Sequence, residues 1–271
     1  MRVSAVRVLL LDNGSLEPAS TRQLRELATA LAAHIGQRVE PVSLAHSARI
    51  PTAELDGRPA ELLEAALDRC GREGVTELMV VPLFVGPSHA LTRQVPALIA
   101  ECERTFPQLR VSVAGPLHEP GEAAIGEIVT KLVREKLADG VRPRVAVVDH
   151  GSPARAVSEV RNAVTAQVRA LLGDSVAEVT ACSMERRPGP EFDFNEPLLE
   201  TLLTRPEWQS GPLVVARLFI APGRHAGPDG DVEQICRRVR GGMADVMFTR
   251  VLGQHLGLIE LLAERCRSVQ G

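Results

Sequence analysis

Two kinds of hydrophobic pattern alternate along the chain. Short stretches that are apolar nearly throughout fall near 6–11, 39–44, 77–84 and 110–114, and again near 144–148, 176–183, 212–219 and 244–250. Between them, apolar residues recur every third or fourth position. The first such series is Leu24, Leu27, Ala28, Leu31, Ala32 and Ile35, with Ser20 as predicted N-cap and Gly36 as stop. The same spacing predicts helices near 59–70, 92–105, 121–137, 157–172, 196–203, 232–239 and 256–267. Wholly apolar strands separated by amphipathic helices indicate parallel sheets covered on both faces, an α/β fold.

The order of elements occurs twice. Val6-Arg7-Val8-Leu9-Leu10-Leu11-Asp12-Asn13-Gly14-Ser15 matches Pro143-Arg144-Val145-Ala146-Val147-Val148-Asp149-His150-Gly151-Ser152, with Asn13 and His150 standing 137 positions apart. Val80-Val81-Pro82-Leu83-Phe84-Val85-Gly86-Pro87-Ser88-His89 matches the segment from Val214 to His225, with the two histidines 136 apart. A weaker pair sets Gly115-Pro116-Leu117-His118 against Val251-Leu252-Gly253-Gln254-His255. Matches in one order at nearly one offset indicate a duplicated domain, with a period too long for a solenoid. The segment 134–144, with Gly140 and Pro143, reads as the boundary, so the expected lobes are 1–138 and 144–271.

Composition narrows the function without naming it. The 271 residues carry a net charge of -3, which offers no cationic face for nucleic acid. No apolar stretch reaches the roughly 20 residues that span a bilayer. Met1-Arg2-Val3-Ser4-Ala5-Val6-Arg7 leads directly into a strand and lacks the apolar core of a secretory signal. Cys70, Cys102, Cys182, Cys236 and Cys266 are scattered, which fits reduced thiols rather than a zinc or disulfide framework. A cytoplasmic protein is expected, with no nucleic acid or membrane as partner. No G-x-x-x-x-G-K-[ST] occurs, so no nucleotide is expected either.

The candidate chemistry lies past strand ends. Ligands of open parallel sheets bind beyond the carboxyl ends of the strands. His150, Glu185 and His225 each follow a strand of the second half, so all three should project from one rim. Two imidazoles and a carboxylate suit a borderline divalent ion such as Co, Ni, Fe or Zn. Taken singly, each histidine is more readily a surface or packed residue than a ligand, and Glu185 sits in a charged run with Arg186 and Arg187.

At these residues the sequence resembles the type II chelatases of tetrapyrrole biosynthesis, in particular the CbiX-like sirohydrochlorin chelatases. The resemblance rests on His150-Gly151-Ser152 after a strand, on Val80-Val81-Pro82-Leu83-Phe84 leading to His89, on the stretch through His225, and on Glu185 after the intervening strand. It implies two chelatase-type lobes facing across a cleft, and ATP-independent insertion of Co2+, Fe2+ or Ni2+ into a tetrapyrrole. On that basis His150, Glu185 and His225 are the catalytic set, and these three with His89 are metal ligands. Ser152, Arg155, Arg161, Gly223, Arg224 and Ser88 would meet the macrocycle, the arginines through its carboxylates, with Arg186 a further candidate. Two lobes in one chain allow a monomer.

The first half departs from this pattern, with Asn13 where the metal-binding histidine belongs and Ala45 or His46 near the glutamate position. The second half carries Arg217 in its Leu-Phe strand and a longer loop, Gly227-Pro228-Asp229-Gly230-Asp231, after His225. The second half is therefore the expected working site. The alternatives are a metal-binding or metal-delivery protein that lost the macrocycle site, and a structural paralogue without metal.

Overall fold

The computed structural model describes residues 6–270. The stretch 1–5, read in the sequence as a lead into the first strand, lies outside them. The first sheet consists of β1 (Arg7–Asp12), β2 (Val39–Ser43), β3 (Glu77–Pro82) and β4 (Arg110–Val113), all parallel in the order β2-β1-β3-β4. The second consists of β5 (Arg144–Asp149), β6 (Glu178–Ser183), β7 (Leu213–Arg217) and β8 (Val246–Phe248), in the equivalent order β6-β5-β7-β8.

The helices are α1 (Pro18–Ile35), α2 (Leu63–Arg72), α3 (Val95–Thr105), α4 (Ala124–Arg134), α5 (Arg155–Leu172), α6 (Leu199–Leu203), α7 (Gly223–Ala226), α8 (Asp231–Arg240) and α9 (Gly257–Gln270). The expected alternation of strands and helices is present in both halves. Leu9 and Leu11 join Leu63, Leu67, Val95 and Ile99 in one core, while Val8 and Leu10 on the opposite face of the strand are just as buried. That two-sided burial is why the strands are apolar throughout. In the second sheet Ala146 and Val148 pack with Leu199, Leu202, Val232 and Trp208.

Local chemistry shifts several boundaries. α1 begins at Pro18 rather than beyond Ser20, because proline presets the backbone for a first helical turn; Ser20 is buried inside that turn. Gly36 ends α1 as expected, at φ 66°, its N–H donating to Ala32 O at 3.0 Å. α3 is preceded by a π-helical turn, Ala90–Gln94, which overlaps the start of the stretch 92–105 expected as one helix. α6 starts at Leu199 rather than near 196 because Leu198 is extended and bridges to Ser183.

The chain packs as two compact units that do not follow the linear cut expected near 134–144. One unit is Met1–Leu117 with Leu258–Gly271; the other is His118–Gly257. α4, which follows the first sheet in sequence, packs on α5 of the second unit, where Gln167 donates to Glu122 O at 2.7 Å and Arg134 to Leu171 O at 2.7 Å. α9 completes the first unit, where Arg265 donates to Pro116 O at 2.7 Å. Charge and glycine content mark where the chain is exposed, but the packing partner of an amphipathic helix is a matter of which core has room for it. Among the described residues no helix is long and apolar enough to cross a membrane.

Candidate metal-handling site

β5 and β7 are neighbours in the second sheet, although β6 lies between them in sequence. The chain has placed β6 on one side of β5 and β7 on the other, so the carboxyl ends of β5 and β7 form the reversal point where open α/β sheets take ligands. His150 follows β5, Glu185 follows β6, and His225 lies in α7 just past β7. The His150 and His225 rings stand edge to face, centroids 4.7 Å apart. Glu185 Oε1 lies 3.6 Å from His150 Nε2. The sequence-predicted trio is thus together in one unit.

Two ligands about 2.1 Å from a tetrahedral ion stand roughly 3.4 Å apart, so the His150–Glu185 spacing is near that of a shared ion. Their side chains are 46% and 61% exposed, which leaves both free to adjust. Among the described residues, no group of three or more His, Cys, Asp or Glu side chains is arranged to hold a metal ion as the side chains stand.

The backbone that sets this pair is tight. Met184 N–H donates to Asp149 O at 2.7 Å and Glu185 N–H to His150 O at 3.2 Å, continuing the β5–β6 ladder into the loops. Gly151 has φ 93°, and a Cβ there would fall 1.9 Å from Glu185 O, so only glycine lets the two loops meet. The first unit repeats this geometry: Leu44 N–H donates to Asp12 O, Ala45 N–H to Asn13 O, and Gly14 abuts Ala45 O. Ala45, not His46, therefore holds the glutamate position, and the first unit lacks both the first histidine and the glutamate. Leu117 and Leu252 make equivalent bonds to Phe84 O and Phe219 O, so His118 and His255 are two residues out of register and the weakest of the three repeat matches is not a site.

Behind His150 lies a polar network that sequence reasoning missed. Asp149 is buried, and its Oδ1 accepts from Ser183 Oγ at 2.6 Å and from Gly151 N–H at 3.2 Å. Arg161 donates to Ser183 Oγ, to Asn195 O at 3.0 Å and to Phe194 O at 3.2 Å, and its Nη1 stands 3.7 Å from Asp149 Oδ1. Burial pushes the Asp149 carboxyl up from its ordinary value, against the pull of Arg161 and Ser183. Asn195 Oδ1 accepts from Ser152 N–H and Ser158 Oγ, fastening the loop after His150 to the segment before α6. Asp149 and Ser183 sit in motifs visible in the sequence, but nothing local marks Asn195.

This corrects Arg161 as a macrocycle contact. It is 1% exposed, and its donors are consumed inside the unit. Ser152 uses its hydroxyl to accept from Ala154 N–H at 3.0 Å, at the start of α5. Arg186 is tied to Glu196 at 2.8 Å and Asp193 at 3.3 Å within its own loop. Arg155 is exposed, its guanidinium 4.7 Å from the Phe194 ring centroid, and Arg224 is 75% exposed beside Asp231. Gly223 opens α7. In the first unit, Ser88 and His89 precede the π-helical turn, where Ser88 O accepts from Thr92 Oγ1 at 2.9 Å.

His225 also has a partner that the sequence reading took only as part of a lengthened loop: Asp231 Oδ2 lies 2.7 Å from its Nδ1. Below it, Arg217 donates from Nη1 to Ala226 O at 2.6 Å and from Nε to Thr249 O at 2.7 Å. In strand register Arg217 takes the place of Pro82 in the first unit: Val148 pairs with Arg217 as Leu11 pairs with Pro82.

Both units are four-stranded parallel sheets flanked by helices in the same strand order, and the second carries the His-Glu-His set at its reversal point, which together define a chelatase-type α/β fold. Three solved chelatase structures share this fold: SirB from Bacillus subtilis with Fe3+ (TM-score 0.74, 16% identity, 97% of this chain and 94% of that one), SirB from Bacillus subtilis subspecies spizizenii in complex with cobalt (0.72, 16%, 97% and 94%), and CbiX, the terminal enzyme for biosynthesis of siroheme in denitrifying bacteria (0.66, 18%, 97% and 98%). Residues 7–136 match the CbiX family model. No curated protein matches by sequence. The family match falls on the half that carries Asn13, while the His-Glu-His set stands in the other.

Proposed function

We propose that the protein inserts a divalent metal, Co2+, Fe2+ or Ni2+, into a sirohydrochlorin-type tetrapyrrole without ATP, working from His150, Glu185 and His225. The observation that carries this reading is the convergence of two imidazoles, 4.7 Å apart, and one carboxylate at the reversal point of a chelatase-type sheet. The neighbouring structures that hold iron or cobalt support the choice of ion class.

The chemistry asks for little more. The metal arrives hydrated, and the imidazoles replace part of its water shell. Entry into the macrocycle forms bonds to its nitrogens and releases two N–H protons, for which Glu185 and a vacated imidazole are the acceptors at hand. Three ligands with exposed edges suit a cargo that must leave, whereas a closed four-ligand shell retains its ion. Exposed Arg155 and Arg224 are the candidates for substrate carboxylates, and Ser152, Gly223, Ser88 and His89 have no assigned contact in this scheme. One unit carries the full set, so a monomer suffices. The free, buried cysteines fit a cytoplasmic enzyme.

Anaerobic incubation with sirohydrochlorin and Co2+, followed by visible absorption, tests this directly. The expected result is turnover that falls about 10²–10⁴-fold in His150→Ala and in His225→Ala. Stoichiometric Co2+ binding with no turnover would instead identify a metal-delivery protein, and absence of both would leave only the scaffold.

A further inference from the structure

The loop after His225 folds back on itself. Gly227 N–H donates to Gly223 O at 3.0 Å and Gly230 N–H to Gly227 O at 3.1 Å. A Cβ on Gly230 would lie 2.8 Å from His225 O and 2.7 Å from Arg224 O. That close return brings the next residue, Asp231 at the start of α8, against the His225 ring.

Asp231 Oδ2 lies 2.7 Å from His225 Nδ1. An ionised carboxylate only accepts hydrogen bonds, so Nδ1 carries the proton and the lone pair is left on Nε2. His150 is set in the same sense by a neutral partner: its Nδ1 stands 3.1 Å from Gly151 O, and its Nε2 faces Glu185. We propose that Asp231 is the positioning residue of this site, locking His225 in its Nδ1–H form and presenting Nε2 to the incoming metal. This rests on the reading that the His150–His225 pair takes the metal. A carboxylate bonded to the second ring nitrogen holds the orientation of a ligating imidazole. Arg224, whose Nε stands 3.5 Å from Asp231 Oδ2, is on a side chain 75% exposed and competes weakly in water.

The experiment has two readouts. Long-range proton–nitrogen correlation on histidine-labelled, metal-free protein at alkaline pH should show His225 protonated at Nδ1. In Asp231→Ala it should shift toward the Nε2–H form, and Co2+ affinity by calorimetry should fall about 10–100-fold. Asp231→Asn, whose amide oxygen accepts the same N–H, should restore the tautomer and most of the affinity. A wild-type His225 protonated at Nε2, or Asp231→Ala binding Co2+ like wild type, would overturn the proposal. If Asp231→Ala does not fold, the wild-type tautomer decides alone. Failure of the parent reading looks different: His150→Ala and His225→Ala would bind Co2+ unchanged while the tautomer still followed Asp231.

Discussion

Asp12 and Asp149 occupy the same place in the two units, yet their surroundings differ. Asp149 has Arg161 and Ser183 around it, whereas Asp12 has Ser43 and no arginine among its partners; each keeps one buried oxygen without a hydrogen bond, Asp12 Oδ1 and Asp149 Oδ2. Burial pushes the Asp12 carboxyl from 3.8 up to about 6. The folded chain therefore holds a proton that the unfolded chain has released between those values, and stability falls as pH rises through that window. Asp12→Asn keeps the shape and removes the charge. It should stabilise the protein by roughly 2–3 kcal/mol at pH 7–8, with the gain vanishing toward pH 4, as read by urea denaturation across pH. A gain equal at all pH values would show that Asp12 is not the titrating group. The aspartate itself was legible in the repeated Asp-x-Gly-Ser motif. Its unequal neutralisation was not, because Arg161 reaches Asp149 from a different element.

At the scale of elements, β7 departs from the apolar rule at one position, and that position holds the His225 turn. Arg217 bonds the carbonyls of Ala226 and Thr249, both on buried residues. Arg217→Leu restores a conventional apolar strand but leaves those carbonyls without their donor. The expected cost is about 1–3 kcal/mol in chemical denaturation, together with weaker Co2+ binding from a loosened α7. Unchanged binding and stability would mean that water replaces the guanidinium fully. The strand and helix order was legible almost throughout, because short apolar runs and a 3.6-residue period are local properties of a chain. Starts and stops were less so: Pro18 moved a helix start, and the Ser183–Leu198 bridge shortened α6.

For the whole molecule, the exchange of α4 and α9 between units matters most. Leu258, Leu261, Leu262, Ala263 and Cys266 are buried, and they lie in the unit that otherwise ends at Leu117. Expressed separately, residues 1–138 should expose that core and aggregate, and residues 144–271 should lack the α4 cover over α5. A fragment of residues 118–257 should fold and bind Co2+ with an affinity comparable to the full chain. Circular dichroism and calorimetry on the three fragments check this. If 144–271 folds and binds as well as 118–257, α4 is dispensable to the site-bearing unit.

From the sequence alone came the duplicated α/β plan, the near-constant offset, and the placement of His150, Glu185 and His225 beyond three strand ends. These depend on residue order and short-range periodicity. Tertiary structure alone decided that the two imidazoles meet at 4.7 Å, that Asp231 backs His225, that Arg161 turns inward, and that α4 and α9 change units. Each of those depends on segments far apart in the chain competing for the same space and the same hydrogen bonds, and no local pattern encodes the outcome of that competition.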